Sequence, residues 1–306
     1  MPGLSKDQVR DALTGPVASL STPFCRDGSI DFDGIRNYLD FVIAGGSKAI
    51  ILTFGDSLYS LLTDEEVADV TKTVVEHGGG RAMVVAADRG WATPKAADFA
   101  RYSAQIGGDV LMLMPPDWAR SSTVETFVAH YRAAAEHIPI MLVTNVFATW
   151  PQQQALRVLE VLRDTVPGVW CIKDDLCGAF ARKMGLLVHE QWAVISGGQK
   201  QNHLDALPYG CDGYFSSFMT FKPQIAHQYW NAIVAGEIEA AVGVIRDYDL
   251  PYFDFIGGLT GGFDAGVHAT LEVFGIAGRW RRNPYYSLGD EEMERLADFY
   301  RGLGLL

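Results

Sequence analysis

Val169-Trp170-Cys171-Ile172-Lys173 is a short apolar run that ends on a charged residue. A run without polar alternation suits a parallel strand that is buried on both faces, with helices covering its outer side. Comparable runs occupy residues 17–21, 49–54, 82–87, 110–114, 140–145, 193–196 and 213–217. Longer amphipathic stretches separate most of them, and several carry helix-start signals. Thr63-Asp64-Glu65-Glu66 and Ser122-Thr123-Val124-Glu125 each fit a capping box. Thr93-Pro94 supplies an N-cap followed by proline at the first helical position.

Eight strand-then-helix units in one chain predict an α/β fold of the closed (β/α)8 TIM-barrel type rather than an open doubly wound sheet. The absence of G-x-G-x-x-G after the first run argues against a dinucleotide-binding alternative. Beyond Pro223 the pattern turns to helices, interrupted by Ile256-Gly257-Gly258-Leu259-Thr260-Gly261-Gly262-Phe263. The expected organisation is a barrel catalytic domain over 1–223 and a helical extension over 224–306. No low-complexity linker separates them, so the extension is expected to pack beside the barrel and not to fold alone.

Composition narrows the function classes. A chain of 306 residues, 48% hydrophobic and 20% charged, has ample material for one large core. Its formal charge of −12 disfavours nucleic acid and anionic membrane as partners, because both attract basic surfaces. The four cysteines (Cys25, Cys171, Cys177 and Cys211) form no C-x-x-C pair, and the seven histidines are scattered. No metal site and no cofactor are therefore expected. The first residues are polar and no apolar stretch is long enough to span a bilayer, so a cytoplasmic protein is expected.

Barrels of this kind place chemistry at the C-terminal ends of their strands. The residues there include Thr53-Phe54-Gly55-Asp56, Pro115-Pro116-Asp117-Trp118, Thr144-Asn145, Lys173-Asp174 and Ser196-Gly197-Gly198, with Phe215 in the last run. Lys173 stands out. Period-two alternation puts Val169, Cys171 and Lys173 on one strand face. If that face is the interior, desolvation disfavours the ammonium and frees the lone pair to attack a carbonyl. The alternative is a rim lysine paired with Asp174 or Asp175.

The whole pattern resembles the dihydrodipicolinate synthase/N-acetylneuraminate lyase family of class I aldolases over nearly the full chain. Thr22-Pro23-Phe24 with Asp27-Gly28-Ser29-Ile30-Asp31 is similar to T-P-F…D-G-x-x-D. Thr53-Phe54-Gly55-Asp56-Ser57 is similar to G-T-T-G-E-S, Pro115-Pro116 to the P-P-Y-Y turn, and Asn145-Val146 to Y-N-x-P. Ile172-Lys173-Asp174 is similar to the I-K-E segment, Ser196-Gly197-Gly198 to S-G-x-D, and Arg282-Asn283-Pro284 to the start of the closing segment. The resemblance implies that Lys173 condenses with pyruvate or a longer 2-keto acid, and that the imine serves as an electron sink. It implies a carboxylate cradle at Thr53 and the N–H groups of Phe54 and Gly55, fixed donors of the kind that suits an anion. A homo-oligomer, a tetramer by family analogy, is also implied, with Tyr59 and its loop near the neighbouring subunit.

The departures from that pattern matter as much. The tyrosine of Y-N-x-P is Thr144 here, the second threonine of the T-T-G turn is Phe54, and the last tyrosine of P-P-Y-Y is Trp118. Thr149 lies near the position of the arginine that dihydrodipicolinate synthases carry. True dihydrodipicolinate synthase activity is therefore not expected. Phe54 and Trp118 resemble residues of hydratase-aldolases acting on aromatic benzylidenepyruvates. The expected site has Lys173 as nucleophile and Thr144 in an altered proton path. Thr53, Phe54, Gly55, Asp56, Trp118, Gly197 and Phe215 would hold the substrate, a small 2-keto acid. Asp56, Tyr59, Asp175 or a water are candidates for the missing proton carrier, and His203 is read as a helix-surface residue. The rival to a lyase is a degenerate member that binds a keto acid without turnover.

Overall fold

The computed structural model describes residues 3–117 and 119–306. Eight parallel strands close into a barrel in sequence order. They are β1 (Gly15–Ser19), β2 (Ala49–Ile51), β3 (Met83–Ala87), β4 (Val110–Leu113), β5 (Ile140–Val143), β6 (Val169–Asp174), β7 (Ala193–Ser196) and β8 (Gly213–Phe215). Closure is made by β8 pairing with β1, Gly15 opposite Gly213 and Val17 opposite Phe215. Each strand lies within or close to the run expected for it. The main differences are that β1 lies two residues earlier than its run and that β2, β5 and β8 stop two or three residues early, where the chain bends into the loops of the mouth.

The continuous apolar runs are explained by two-sided burial. Ile50, Ile51, Val84, Val85, Leu111, Leu113, Ile140, Leu142 and Ile172 are all inaccessible to solvent. Each such side chain contributes roughly 1.5–3 kcal/mol relative to exposure. β5 and β6 pair with a register shift: Ile140 faces Val169 but Met141 faces Cys171, so Trp170 is the extra residue of a bulge.

Helices α1 (Lys6–Leu13), α2 (Phe32–Ala44), α3 (Asp64–Gly78), α4 (Thr93–Gln105), α5 (Val124–Ala135), α6 (Gln152–Thr165), α7 (Gly178–Val188), α8 (Gln199–Ala206) and α9 (Pro223–Ala235) precede β1 or follow successive strands. The Thr63–Glu66 capping box forms as expected at α3. The box at α5 lies one residue later than expected, between Thr123 and Thr126. At α4, Ala92 occupies the cap position and Thr93 begins the helix.

After α9 come α10 (Ile238–Val244), a π-helical turn (Ile245–Asp249), α11 (Leu250–Gly257), α12 (Gly262–Val273) and α13 (Asp290–Gly302). These helices do more than pack beside the barrel. Phe253, Phe263, Asp264 and Val267 reach the cavity at its mouth. The glycine-rich link permits this: Gly261 and Gly262 both adopt positive φ, and a Cβ on Gly261 would come 2.9 Å from Ala265. A fully buried ion pair, Lys200 Nζ to Asp249 Oδ1 at 2.5 Å, ties α8 to the π-helical turn. Among the described residues, no helix is long and apolar enough to cross a membrane.

Candidate active site

Lys173 is the next-to-last residue of β6, and its side chain enters the barrel mouth with 12% exposure. The amine lies between two cavities. The smaller, about 220 Å³, is lined by Thr53, Phe54, Gly55, Asp88, Asn145 and Lys173, among others. The larger, about 380 Å³, takes in Lys173, Gly197, Phe215 and the residues contributed by α11 and α12. Asp56 and Asp175 border both cavities. Nζ lies 4.9 Å from the centre of the Phe215 ring and ion-pairs with the Asp175 carboxylate. The two sequence alternatives for this lysine are thus both realised: it points inward, and it is paired.

Gly197 is required by that pair. A Cβ there would overlap the Asp175 carboxylate and come 2.9 Å from Nζ. Its own N–H donates to the Asp174 carbonyl at 2.7 Å, fixing the turn after β7 against β6.

The turn after β2 has a closely specified geometry. Ser57 is completely buried; its hydroxyl donates to the Leu20 carbonyl at 2.5 Å and accepts the Thr53 N–H at 3.0 Å. Thr22 donates to the Ser57 carbonyl at 2.7 Å. The Thr53 hydroxyl accepts the Asp56 N–H at 2.9 Å. The N–H groups of Phe54 and Gly55 have no partner among the described residues. Both residues border the smaller cavity, so two backbone donors remain for an anion. The Thr53 N–H is not one of them.

Thr144 stands apart. It is fully buried and borders neither cavity. Its hydroxyl donates to Asp174 Oδ1 at 2.8 Å and accepts the Asp175 N–H at 2.8 Å. Its proton is therefore directed at Asp174, behind the site, and not into either cavity. Asp174 takes the Cys177 N–H at 3.0 Å, and burial pushes its carboxyl above the usual range. Trp118 lies outside the described residues.

Other groups lie elsewhere than expected. Tyr59 is wholly buried within this chain, which removes it as a surface group facing a neighbour. His203 is also fully buried, because its side of α8 packs onto Tyr214, Tyr229 and Trp230; its Nδ1 lies 2.9 Å from the Tyr229 hydroxyl. Burial lowers it to about 4. Cys171 borders neither cavity, and burial raises its thiol. Among the described residues, no group of three or more His, Cys, Asp or Glu is disposed to hold a metal ion.

Several site residues escaped sequence reasoning. Ser19, Ser21, Tyr38, Gln199, Ser217 and Thr220 give the larger cavity a hydroxyl- and amide-rich wall, with Asp264 at its edge. Arg281 lies 3.6 Å from the Asp264 carboxylate. Asp88 follows β3 directly and borders the smaller cavity. The strand-end rule that found Lys173 would also have found Asp88. Nothing in the sequence pattern marks Tyr38 or Phe263, which reach the mouth from helices.

The closed parallel barrel thus carries an inward lysine near the end of its sixth strand, with two backbone donors free across the mouth. The family described as the Dihydrodipicolinate synthetase family matches residues 12–301, and the chain belongs to it. Among curated relatives, the 4-hydroxy-tetrahydrodipicolinate synthase of Dechloromonas aromatica (strain RCB) is 26% identical over 238 residues, 75% of this chain and 78% of the relative. A probable 5-dehydro-4-deoxyglucarate dehydratase 2 of Streptomyces avermitilis is 27% identical over 255 residues, 81% of this chain and 75% of the relative. In structure, dihydrodipicolinate synthase from Oceanobacillus iheyensis superposes with a TM-score of 0.84 at 19% identity, covering 99% of this chain and 100% of that one. This last likeness speaks for the fold alone.

Proposed function

We propose that this chain is a class I lyase that binds pyruvate or a longer 2-keto acid as an imine on Lys173, needing no metal or organic cofactor. The observation that carries the reading is the position of the Lys173 amine between a small cavity with two free backbone N–H groups and a larger polar one. The keto-acid carboxylate takes the Phe54 and Gly55 N–H groups, and Asp175 receives the proton that the ammonium gives up. The amine lone pair attacks the keto carbon, and the carbonyl oxygen leaves as water. The iminium then accepts the electron pair released when the C3–C4 bond breaks, or when a C3 proton leaves and a β-hydroxyl departs.

The larger cavity supports a hydroxylated tail. Its serines, Thr220 and Gln199 offer donors and acceptors, while Asp56 and Asp264 oppose a distal carboxylate. That opposition, with Thr144 and Phe54 in place of the family residues, argues against dihydrodipicolinate synthase activity. The relationship to a dehydratase is consistent with this direction. A homotetramer and a cytoplasmic location belong to the same proposal by family analogy.

The test is a panel of 2-keto acids bearing hydroxyl groups, with pyruvate release or loss of water as readout and Lys173→Ala as control. Turnover that disappears in the variant supports the lyase. A second reading, a keto-acid binder without turnover, draws on the Lys173–Asp175 pair and the sequestered Thr144 hydroxyl. It predicts imine formation with no product from any member of the panel.

A further inference from the structure

Asp175, held in the ion pair with Lys173, takes the ammonium proton, and the C3 proton needs an acceptor of its own. β5 supplies none, because the Thr144 hydroxyl is bound to Asp174 and sealed from both cavities. Across the smaller cavity from β6, the chain leaving β3 carries a carboxyl group. Asp88 is 1% exposed, and it borders the same cavity as Lys173 and the free N–H groups of Phe54 and Gly55. At about 220 Å³ this cavity is smaller than the roughly 300–1,000 Å³ of drug-sized sites. A three-carbon keto acid inside it meets both walls.

The backbone N–H groups of Gly90, Trp91 and Met114 hold the carboxyl. Oδ1 accepts the Met114 N–H at 2.9 Å and Oδ2 accepts the Trp91 N–H at 3.3 Å. These three donors do not exhaust the carboxylate, which has about four acceptor sites. No ion pair involves Asp88 among the described residues. Its charge is felt at the Tyr59 and Tyr131 hydroxyls, and Asp56, Lys173 and Asp175 share its cavity wall.

We propose that Asp88 is the acid–base group of this site, taking the C3 proton of the Lys173-bound keto acid and later returning a proton to the product. The proposal rests on the imine reading above. In the step itself the C3–H bond breaks and its proton goes to the Asp88 carboxylate. The C–H electron pair becomes the C2–C3 double bond of an enamine, and the iminium π pair returns to the Lys173 nitrogen. Charge balances, because a cation and an anion become two neutral groups. Burial raises the Asp88 carboxyl to about 7, where a group can both take and give a proton under ordinary conditions. A staple for the loop after β3 would need the same backbone hydrogen bonds, so the test must read proton transfer.

The full chain is incubated with pyruvate in D2O, and deuterium entry into the methyl group is followed by NMR. In parallel, borohydride traps the imine, so that exchange is expressed per imine formed. Asp88→Asn is expected to lower that exchange by ~100-fold or more while trapping on Lys173 persists. In the unmodified protein, exchange per imine is expected to rise with pH through about 7, since the base must be ionised. An Asp88→Asn protein that traps and exchanges like the parent would overturn the proposal, as would a profile flat through that range. If Asp88→Asn does not fold, the parent's pH profile alone decides. Failure of the parent to trap pyruvate would refute the imine reading, and this role with it.

Discussion

The Thr144 hydroxyl donates to Asp174 Oδ1 at 2.8 Å and accepts the Asp175 N–H at the same distance, so one buried side chain links the end of β5 to the loop that carries Asp175. Thr144→Val keeps the shape and removes both bonds. The expected result is a loss of stability on the order of 2 kcal/mol in urea unfolding, because buried polar groups lose their partner. Pyruvate exchange per trapped imine should fall less than about tenfold. An unchanged stability with abolished exchange would restore Thr144 as a proton carrier.

Gly197 is expected to tolerate no side chain. The Cβ of Gly197→Ala would occupy the space of the Asp175 carboxylate and press on Nζ. Imine trapping should drop at least about tenfold, equal to ~1.4 kcal/mol, while global unfolding shifts little, since the clash is confined to the open mouth. Trapping equal to the parent's would mean that the Lys173–Asp175 pair has no part in forming the imine.

Ser57 tests the anion cradle without touching it. Ser57→Ala leaves the Thr53 N–H and the Leu20 carbonyl unpaired in a dry interior. A destabilisation of about 1–3 kcal/mol is expected. The pyruvate concentration giving half-maximal trapping should also rise severalfold as the Phe54–Gly55 turn loosens. A stability loss with no change in that concentration would separate the turn from carboxylate binding.

His268 gives a pH test of the helical extension. It is buried beside Arg281, neither ring nitrogen has a partner among the described residues, and burial lowers it to about 3. A histidine depressed on folding destabilises the native state once the unfolded chain takes up a proton. Its penalty is absent above about pH 6.5 and grows as pH falls toward 3. His268→Leu should therefore gain stability relative to the parent by on the order of 3 kcal/mol between about pH 6.5 and 4. A constant difference in unfolding midpoint across that window would contradict the assignment.

The fold was legible because two-sided burial leaves little freedom in strand composition. The run ending at Lys173 could be read from sequence, and the same physics places all eight strands. Helix starts were readable to within a residue, since the capping boxes at Thr63 and Thr123 depend on local hydrogen bonds alone. The site was legible only in part. Lys173, Gly197 and the turn at Thr53 lie at strand ends, where position follows from topology. The direction of the Thr144 hydroxyl was not legible, because it is set by Asp174, a tertiary partner. Tyr38, Phe253 and Phe263 were missed because they reach the mouth from helices, and no strand-end rule points to them. His203 and Tyr59 were misplaced on the surface because polar atoms on an aromatic ring are compatible with full burial.

The central claim is that the Lys173 amine forms an imine with a keto acid. The direct measurement is borohydride reduction of the protein with pyruvate, followed by digestion and mass mapping of the peptide that carries residue 173. One reduced pyruvate per chain is expected, on Lys173, and none in Lys173→Ala. An adduct on another lysine, or no adduct from pyruvate and longer 2-keto acids alike, would contradict it.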